Sequence, residues 1–249
     1  MRKFGLIGFP LTHSFSEGYF ANKFVHENIE DAHYANYPID TIQKFSALWE
    51  DSSLIGLNIT IPYKKEVLVY LDEMSDVVKQ MQACNCIRKV NGKLIGYNTD
   101  VIGFQKSLEP FLQPHHQKAL ILGTGGAAAA VKFVLTQLGI EYAFVSRKTT
   151  EHKGHSTFNY DDLDATIMRA HTLIINTTPV GTFPNSDKFP AIPYELLSVQ
   201  HHLYDLVYNP AETAFLQKGK QKGATIQNGL QMLHLQAEES WKIWNESIE

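Results

Sequence analysis

The sequence predicts an α/β fold of two domains, and three observations carry that reading. Apolar strand-like runs alternate with helix-like segments along the 249-residue chain, which implies mostly parallel sheets with helices packed on them. Residues 118–130, KALILGTGGAAAA, turn an apolar run at Gly123-Thr124-Gly125-Gly126 straight into an alanine-rich helix former. That is the strand-turn-helix context of a Rossmann dinucleotide site. The motif begins only at Lys118, so enough chain precedes it for a separate domain.

In the first half, residues 4–9 read as a strand and 17–27 as a helix, followed by a strand at 35–39 and a helix at 41–50. Residues 54–61 read as a third strand, and Pro62 suits the first turn of a further helix to about residue 74. Residues 85–90 and 93–97 flank Asn91-Gly92, a dipeptide that takes the positive φ values of a type I′ hairpin turn. A helix over 101–112 joins the halves. In the second half, a strand at 141–145 follows the glycine loop at βαβ length, then strands at 173–177, 203–208 and 224–227. Leu230, Leu233, Ala237 and Trp241 have helical spacing over 230–244, and this last helix is expected to fold back onto the first domain. The expected organisation is an N-terminal α/β substrate domain with a mostly parallel sheet, residues 1–99 with 230–249, plus a Rossmann-type dinucleotide-binding domain, residues 100–229.

Composition excludes several function classes. A net charge of -4 offers no basic field for nucleic acid. The N-terminal MRKFGLIGFP is too short and too interrupted for a signal peptide, and no apolar run reaches membrane-spanning length. A cytoplasmic location is expected, with no membrane partner. Cys84 and Cys86 are the only cysteines and cannot complete a zinc site alone, and none of the 11 histidines stands in an H-E-x-x-H spacing, so no metal is expected.

The glycine loop sets the nucleotide chemistry. Gly123 permits the tight turn, Gly125 lets the backbone approach a pyrophosphate, and Ala128 takes the small position where helix and strand pack. The end of the next strand reads Ser146-Arg147-Lys148 rather than an acid. A guanidinium pairs with a 2′-phosphate that a carboxylate repels, so this end favours NADP. In the first half, Asn58 and Thr60 share one strand face while Ile59 and Ile61 bury on the other. Lys64 follows near the positive end of the expected helix, an unfavourable place for an ammonium and a favourable one for a proton donor. Asp100 is its candidate carboxylate partner; it also suits a helix N-cap, and the two roles can coexist. Ser14 and Ser16 precede the first helix and could hold a carboxylate, although Ser14 with Glu17 also spells a capping box. Asn85 projects opposite to the two flanking thiols on a strand.

These residues, taken in order, resemble the shikimate dehydrogenase family from end to end. Ser14-x-Ser16 is similar to its carboxylate-binding serines, and residues 56–64, GLNITIPYK, to its G-x-N-[VI]-T-x-P-x-K signature. Asn85, then Asn98-Thr99-Asp100 with Gly103, resemble the next two motifs. The glycine loop Gly123 to Ala127, Ser146-Arg147-Lys148, Asn176-Thr177-Thr178, Asp205 to Pro210, and Asn228-Gly229-Leu230 through Gln236 complete the series. The chain departs after Ser16, where the family commonly continues with proline and a later His-Asn and this sequence has Glu17-Gly18-Tyr19-Phe20. The first helix is therefore expected to start differently.

The resemblance implies NADPH-dependent reduction of 3-dehydroshikimate to shikimate. It makes Lys64 and Asp100 the catalytic pair and Ser14, Ser16, Asn58, Thr60, Asn85, Tyr208 and Gln236 the substrate-binding set. It assigns Gly123, Thr124, Gly125, Gly126, Ala127, Ser146, Arg147, Lys148, Asn176, Thr177, Thr178 and Gly229 to the cofactor. The expected partners are small molecules, with the chain a monomer or homodimer. Three other readings stay open at this point: a quinate/shikimate dehydrogenase with broader cofactor use, a dehydrogenase of the methylenetetrahydrofolate type, and a non-catalytic NADP-binding sensor.

Overall fold

The computed structural model describes residues 1–11, 14–147 and 156–247. The chain forms two compact units, Met1–Ile102 with Gln236–Glu249, and Gly103–Leu235. It passes between them inside a helix each time, Thr99–Leu108 and Leu230–Asn245.

The first unit contains β1 (Arg2–Gly8), α1 (Phe15–His26), β2 (Ala32–Pro38), α2 (Phe45–Leu48), β3 (Leu54–Ile59), β4 (Glu73–Met74), α3 (Asp76–Met81), β5 (Cys86–Val90), β6 (Lys93–Tyr97) and the start of α4 (Thr99–Leu108). Its sheet runs β2-β1-β3-β5-β6-β4. β1 pairs in parallel with β2 and β3, β4 pairs in parallel with β6, and β5 is antiparallel to both β3 and β6. Strand alternation sends Phe4 and Leu6 toward Phe20 and Phe24 of α1, while Ile7 packs with Phe45 and Val67 on the other face. Asn91 and Gly92 have φ of 50° and 80°, as a type I′ turn requires, and the turn brings Val90 opposite Lys93.

The second unit contains β7 (Lys118–Leu122), α5 (Gly126–Gln137), β8 (Glu141–Val145), β9 (Thr157–Phe158), α6 (Ala165–Ala170), β10 (Leu173–Asn176), β11 (His202–Asp205), α7 (Ala214–Gln221), β12 (Thr225–Asn228) and the start of α8 (Leu230–Asn245). Its sheet runs β12-β11-β10-β7-β8-β9 with every pairing parallel. Taking β7 as the first strand, this is the Rossmann order, with its topological switch point between β7 and β10. Helices cover both faces, so the central strands are largely apolar: Leu120, Leu122, Val145, Ile174 and Leu203 share a core with Phe215 and Leu216.

Several expected elements differ. The helix expected over 41–50 is a 3-10 turn, Ile42–Lys44, followed by the single turn of α2. The α-helix expected over 62–74 is replaced by a 3-10 segment, Glu66–Tyr70, and by β4, whose Glu73 and Met74 pair with Ile95 and Gly96. That long-range pairing outweighs local helical spacing. β3 ends at Ile59, so Ile61 lies past the sheet and is 74% exposed rather than buried. α4 starts at Thr99 and stops at Leu108, where Glu109-Pro110-Phe111 forms a 3-10 turn. The sequence reading also missed α3, α6 and α7, each opened by a side-chain cap from Ser75, Asp164 or Thr213.

Candidate active site

In the first unit, β3 and the turn after it deliver the polar residues. Thr60 N still pairs with Ile7 O at 2.9 Å, and Tyr63 N closes a turn onto Thr60 O at 3.0 Å. The Tyr63 ring is buried and its hydroxyl donates to Ile39 O at 2.7 Å. This anchors the turn. Cys84 N donates to Lys64 O at 2.8 Å, so the Lys64 backbone is held as well. With no α-helix beginning here, a helix terminus does not act on Lys64 as the sequence suggested. A carboxylate does: Lys64 Nζ donates to Asp100 Oδ2 at 2.6 Å, with side chains 34% and 20% exposed.

Asp100 is free for this because other groups cap α4. Asn85 Oδ1 accepts from Thr99 N at 2.6 Å, and Asn98 Oδ1 accepts from Val101 N at 3.4 Å. Asp100 occupies the first turn, where the helix N-terminus favours a carboxylate. The N-cap alternative for Asp100 is thereby corrected.

Asn58, Asn85 and Gln236, three of the predicted substrate residues of this unit, belong to one polar network. The Tyr34 hydroxyl donates to Asn58 Oδ1 at 3.0 Å. Asn58 Nδ2 donates to Ser240 Oγ at 2.9 Å. Thr99 Oγ1 lies 3.2 Å from Ser240 Oγ, accepts from Asn85 Nδ2 at 3.1 Å, and reaches Gln236 Oε1 at 3.4 Å. Tyr34, Thr99 and Ser240 are buried members that sequence reasoning did not assign. Their positions on strand and helix faces carried no separate signal.

Ser14 caps α1, accepting from Glu17 N at 3.3 Å. The Glu17 carboxylate accepts from Asn36 Nδ2 at 2.6 Å. Asn85 is buried together with Cys84 and Cys86, and burial pushes the Cys84 thiol up to about 12. These are unreactive packing residues.

In the second unit, the glycine loop leaves the end of β7 at the switch point. Gly123 has φ of 97°, open to glycine and strained for other residues. Gly125 is the N-cap of α5, which has no side-chain cap, and a Cβ at Gly125 or Gly126 would stand in open space. The uncapped N–H groups and the room around them fit a pyrophosphate. Thr124 and Ala127 are exposed beside them, and Ala128 is buried against the sheet. Thr177 and Thr178 follow β10 across the switch point, and Thr177 Oγ1 donates to Leu122 O at 2.7 Å. Ser146 N pairs with Phe158 O at 3.0 Å, which places Ser146 and Arg147 just past the carboxyl end of β8. Lys148 lies outside the described residues. Gly229 follows β12 so closely that a Cβ would collide with the Leu206 carbonyl. Tyr208 stands past β11 and is 38% exposed.

Among the described residues, no group of three or more His, Cys, Asp or Glu is placed to hold a metal ion. No helix among them is long and apolar enough to cross a membrane. A Rossmann unit joined to an α/β unit that holds a lysine–carboxylate pair defines the class as a nucleotide-dependent oxidoreductase.

The chain belongs to the shikimate dehydrogenase family. Residues 6–87 match the family model described as the shikimate dehydrogenase substrate binding domain. The chain is 38% identical over 259 aligned positions to the shikimate dehydrogenase (NADP(+)) of Caldicellulosiruptor bescii, covering 98% of this chain and 89% of the relative. The crystal structure of the Thermus thermophilus shikimate 5-dehydrogenase in complex with NADP(H) and shikimate superposes with a TM-score of 0.85 at 31% identity, covering 98% and 94% of the two chains. A chorismate mutase/shikimate 5-dehydrogenase fusion from Clostridium acetobutylicum superposes with a TM-score of 0.88 at 33% identity, covering 100% and 93%.

Proposed function

We propose that this protein catalyses the reversible, NADPH-dependent reduction of the 3-keto group of 3-dehydroshikimate to shikimate, a step toward chorismate and the aromatic amino acids. The observation that carries the reading is the Lys64–Asp100 hydrogen bond of 2.6 Å, formed next in the chain to the polar network through Thr99. NADPH supplies the hydride. As the carbonyl oxygen gains charge, Lys64 donates a proton from Nζ, and in the oxidative direction it takes the proton back. Asp100 holds that ammonium in place and accepts from a substrate hydroxyl. Ser14 and Ser16 hold the substrate carboxylate. Asn58, Thr60, Asn85 and Gln236 take the ring hydroxyls, and Tyr208 is assigned to substrate by the family pattern. Gly123 to Ala127, Asn176 to Thr178 and Gly229 hold the nucleotide, while Ser146, Arg147 and Lys148 take the 2′-phosphate and so select NADP. The substrate and catalytic role is assigned to the unit Met1–Ile102 with Gln236–Glu249, which holds both Lys64 and Asp100, and the nucleotide role to the unit Gly103–Leu235.

The protein acts in the cytoplasm as a monomer or homodimer. The net charge of -4 supports the absence of a nucleic-acid partner. An absorbance assay of NADP reduction with shikimate as donor tests the reading, with NAD and quinate as comparators. Turnover with shikimate and NADP is expected. A chain that binds NADP yet fails to oxidise shikimate overturns it.

A further inference from the structure

The last row of the second unit's sheet runs Leu122, Asn176, Asp205, Asn228 across β7, β10, β11 and β12. It is the carboxyl edge, where open parallel sheets bind ligands. Asp205 is fully buried there and belongs to no assigned site. Its carboxylate accepts three hydrogen bonds: from Thr213 Oγ1 to Oδ2 at 2.5 Å, from Asn176 Nδ2 to Oδ1 at 2.9 Å, and from Val207 N to Oδ1 at 3.1 Å.

The direction of the chain of bonds is set. Asn176 Oδ1 accepts from Thr178 N at 3.1 Å and from Thr178 Oγ1 at 2.6 Å, so its amide nitrogen must face Asp205. Thr178 Oγ1 in turn accepts from Val180 N at 3.3 Å. Asp205 therefore ends a relay of donors that runs back into the loop after β10. That loop abuts the nucleotide loop: a Cβ at Gly123 would stand 2.7 Å from Thr178 Cγ2 and 3.2 Å from Thr177 Oγ1.

We infer that Asp205 is a positioning residue, whose carboxylate fixes Asn176 and Thr178 against Gly123 and thereby sets the affinity for the dinucleotide. The inference rests on the proposed NADP site. A neutral, shorter side chain leaves one of the two Asn176 amide hydrogens without an acceptor in a dry site, only the longer bond to Val180 O at 3.4 Å remaining, and the loop is released to find one.

The test compares Asp205→Ala and Asp205→Asn in the full chain. The readouts are KM for NADP, KM for shikimate, and NADP binding by the nucleotide-induced rise in melting temperature. Asp205→Ala should raise KM for NADP about tenfold, the scale of one buried donor left unpaired, with KM for shikimate unchanged. Asp205→Asn keeps an oxygen at Oδ1 and should restore NADP binding to within about threefold. If Asp205→Ala does not fold, Thr213→Val removes the donor to Asp205 Oδ2 without touching any residue assigned to the nucleotide and should give the same selective rise. An Asp205→Ala chain, or in its place a Thr213→Val chain, with wild-type KM for NADP overturns the inference, as does an equal rise in both KM values. A wild-type chain that binds no NADP overturns the functional reading itself and the inference with it.

Discussion

Replacing Lys64 by Ala removes the proposed proton donor while leaving most of the fold in place. Proton transfer by a positioned side chain is worth about 10²–10⁴ in rate, or about 3–5 kcal/mol of barrier. The structural cost is smaller. Lys64 and Asp100 are 34% and 20% exposed, and a partly solvated pair of this kind contributes about 0–1 kcal/mol to stability. Asp100 left alone keeps the favourable N-terminus of α4, worth about 0.3–1 kcal/mol. A loss near 1 kcal/mol lowers the melting temperature by about 2–4 °C in a chain of this size. Steady-state kinetics with shikimate and NADP should therefore show kcat reduced by at least about 10² with KM for shikimate changed by less than about tenfold, in a protein that melts within a few degrees of wild type. A kcat within about threefold of wild type, or a loss confined to KM, refutes the assignment of Lys64 as proton donor.

Arg147→Ser should raise KM for NADP about 10- to 100-fold, as expected for the loss of charged hydrogen bonds to a phosphate, while KM for NAD stays within about threefold; equal effects on both cofactors would remove Arg147 from the 2′-phosphate. Gly125→Ala and Gly229→Ala should separate function from folding. Gly125 has φ of -78° and open space, so its variant should melt as wild type yet bind NADP weakly, whereas Gly229→Ala collides with Leu206 backbone and should lose about 1–3 kcal/mol of stability; similar melting of the two would contradict the steric argument. His202 is fully buried, with Nδ1 2.8 Å from Thr225 Oγ1, and burial pulls its pKa down to about 4. The unfolded chain titrates its histidines near 6.5, so the His202 contribution is complete above about pH 6.5 and about 3 kcal/mol is lost as pH falls toward 4. His116 and His201 are pulled down by burial in the same sense, while Asp205, pushed up to about 6 by burial, works in the opposite sense between about 4 and 6. Melting temperatures from pH 7 to 4 should thus fall more steeply in wild type than in His202→Asn, and parallel curves would exclude this origin of acid sensitivity.

Local chemistry made parts of both units legible. The strand at 141–145 coincides with β8, the Asn91-Gly92 turn has its expected positive φ values, and Gly123 has the backbone that only glycine adopts freely. Each is decided by residues a few positions apart, so the amino-acid order alone suffices. The run over 62–74 misled because its outcome depends on partners far along the chain. Tyr63 reaches Ile39, and Glu73 reaches β6.

The sequence by itself determined the alternation of strands and helices, the place of the glycine loop, the inventory of polar groups and the family they resemble. Only the tertiary structure decided that Lys64 meets Asp100, that Asn85 rather than Asp100 holds the first amide of α4, and that Tyr34, Thr99 and Ser240 join Asn58, Asn85 and Gln236 in one network. Propensity and spacing act over a turn of helix or one strand. A hydrogen bond between positions 36 apart exists only after sheet register and buried apolar packing have brought the two segments together.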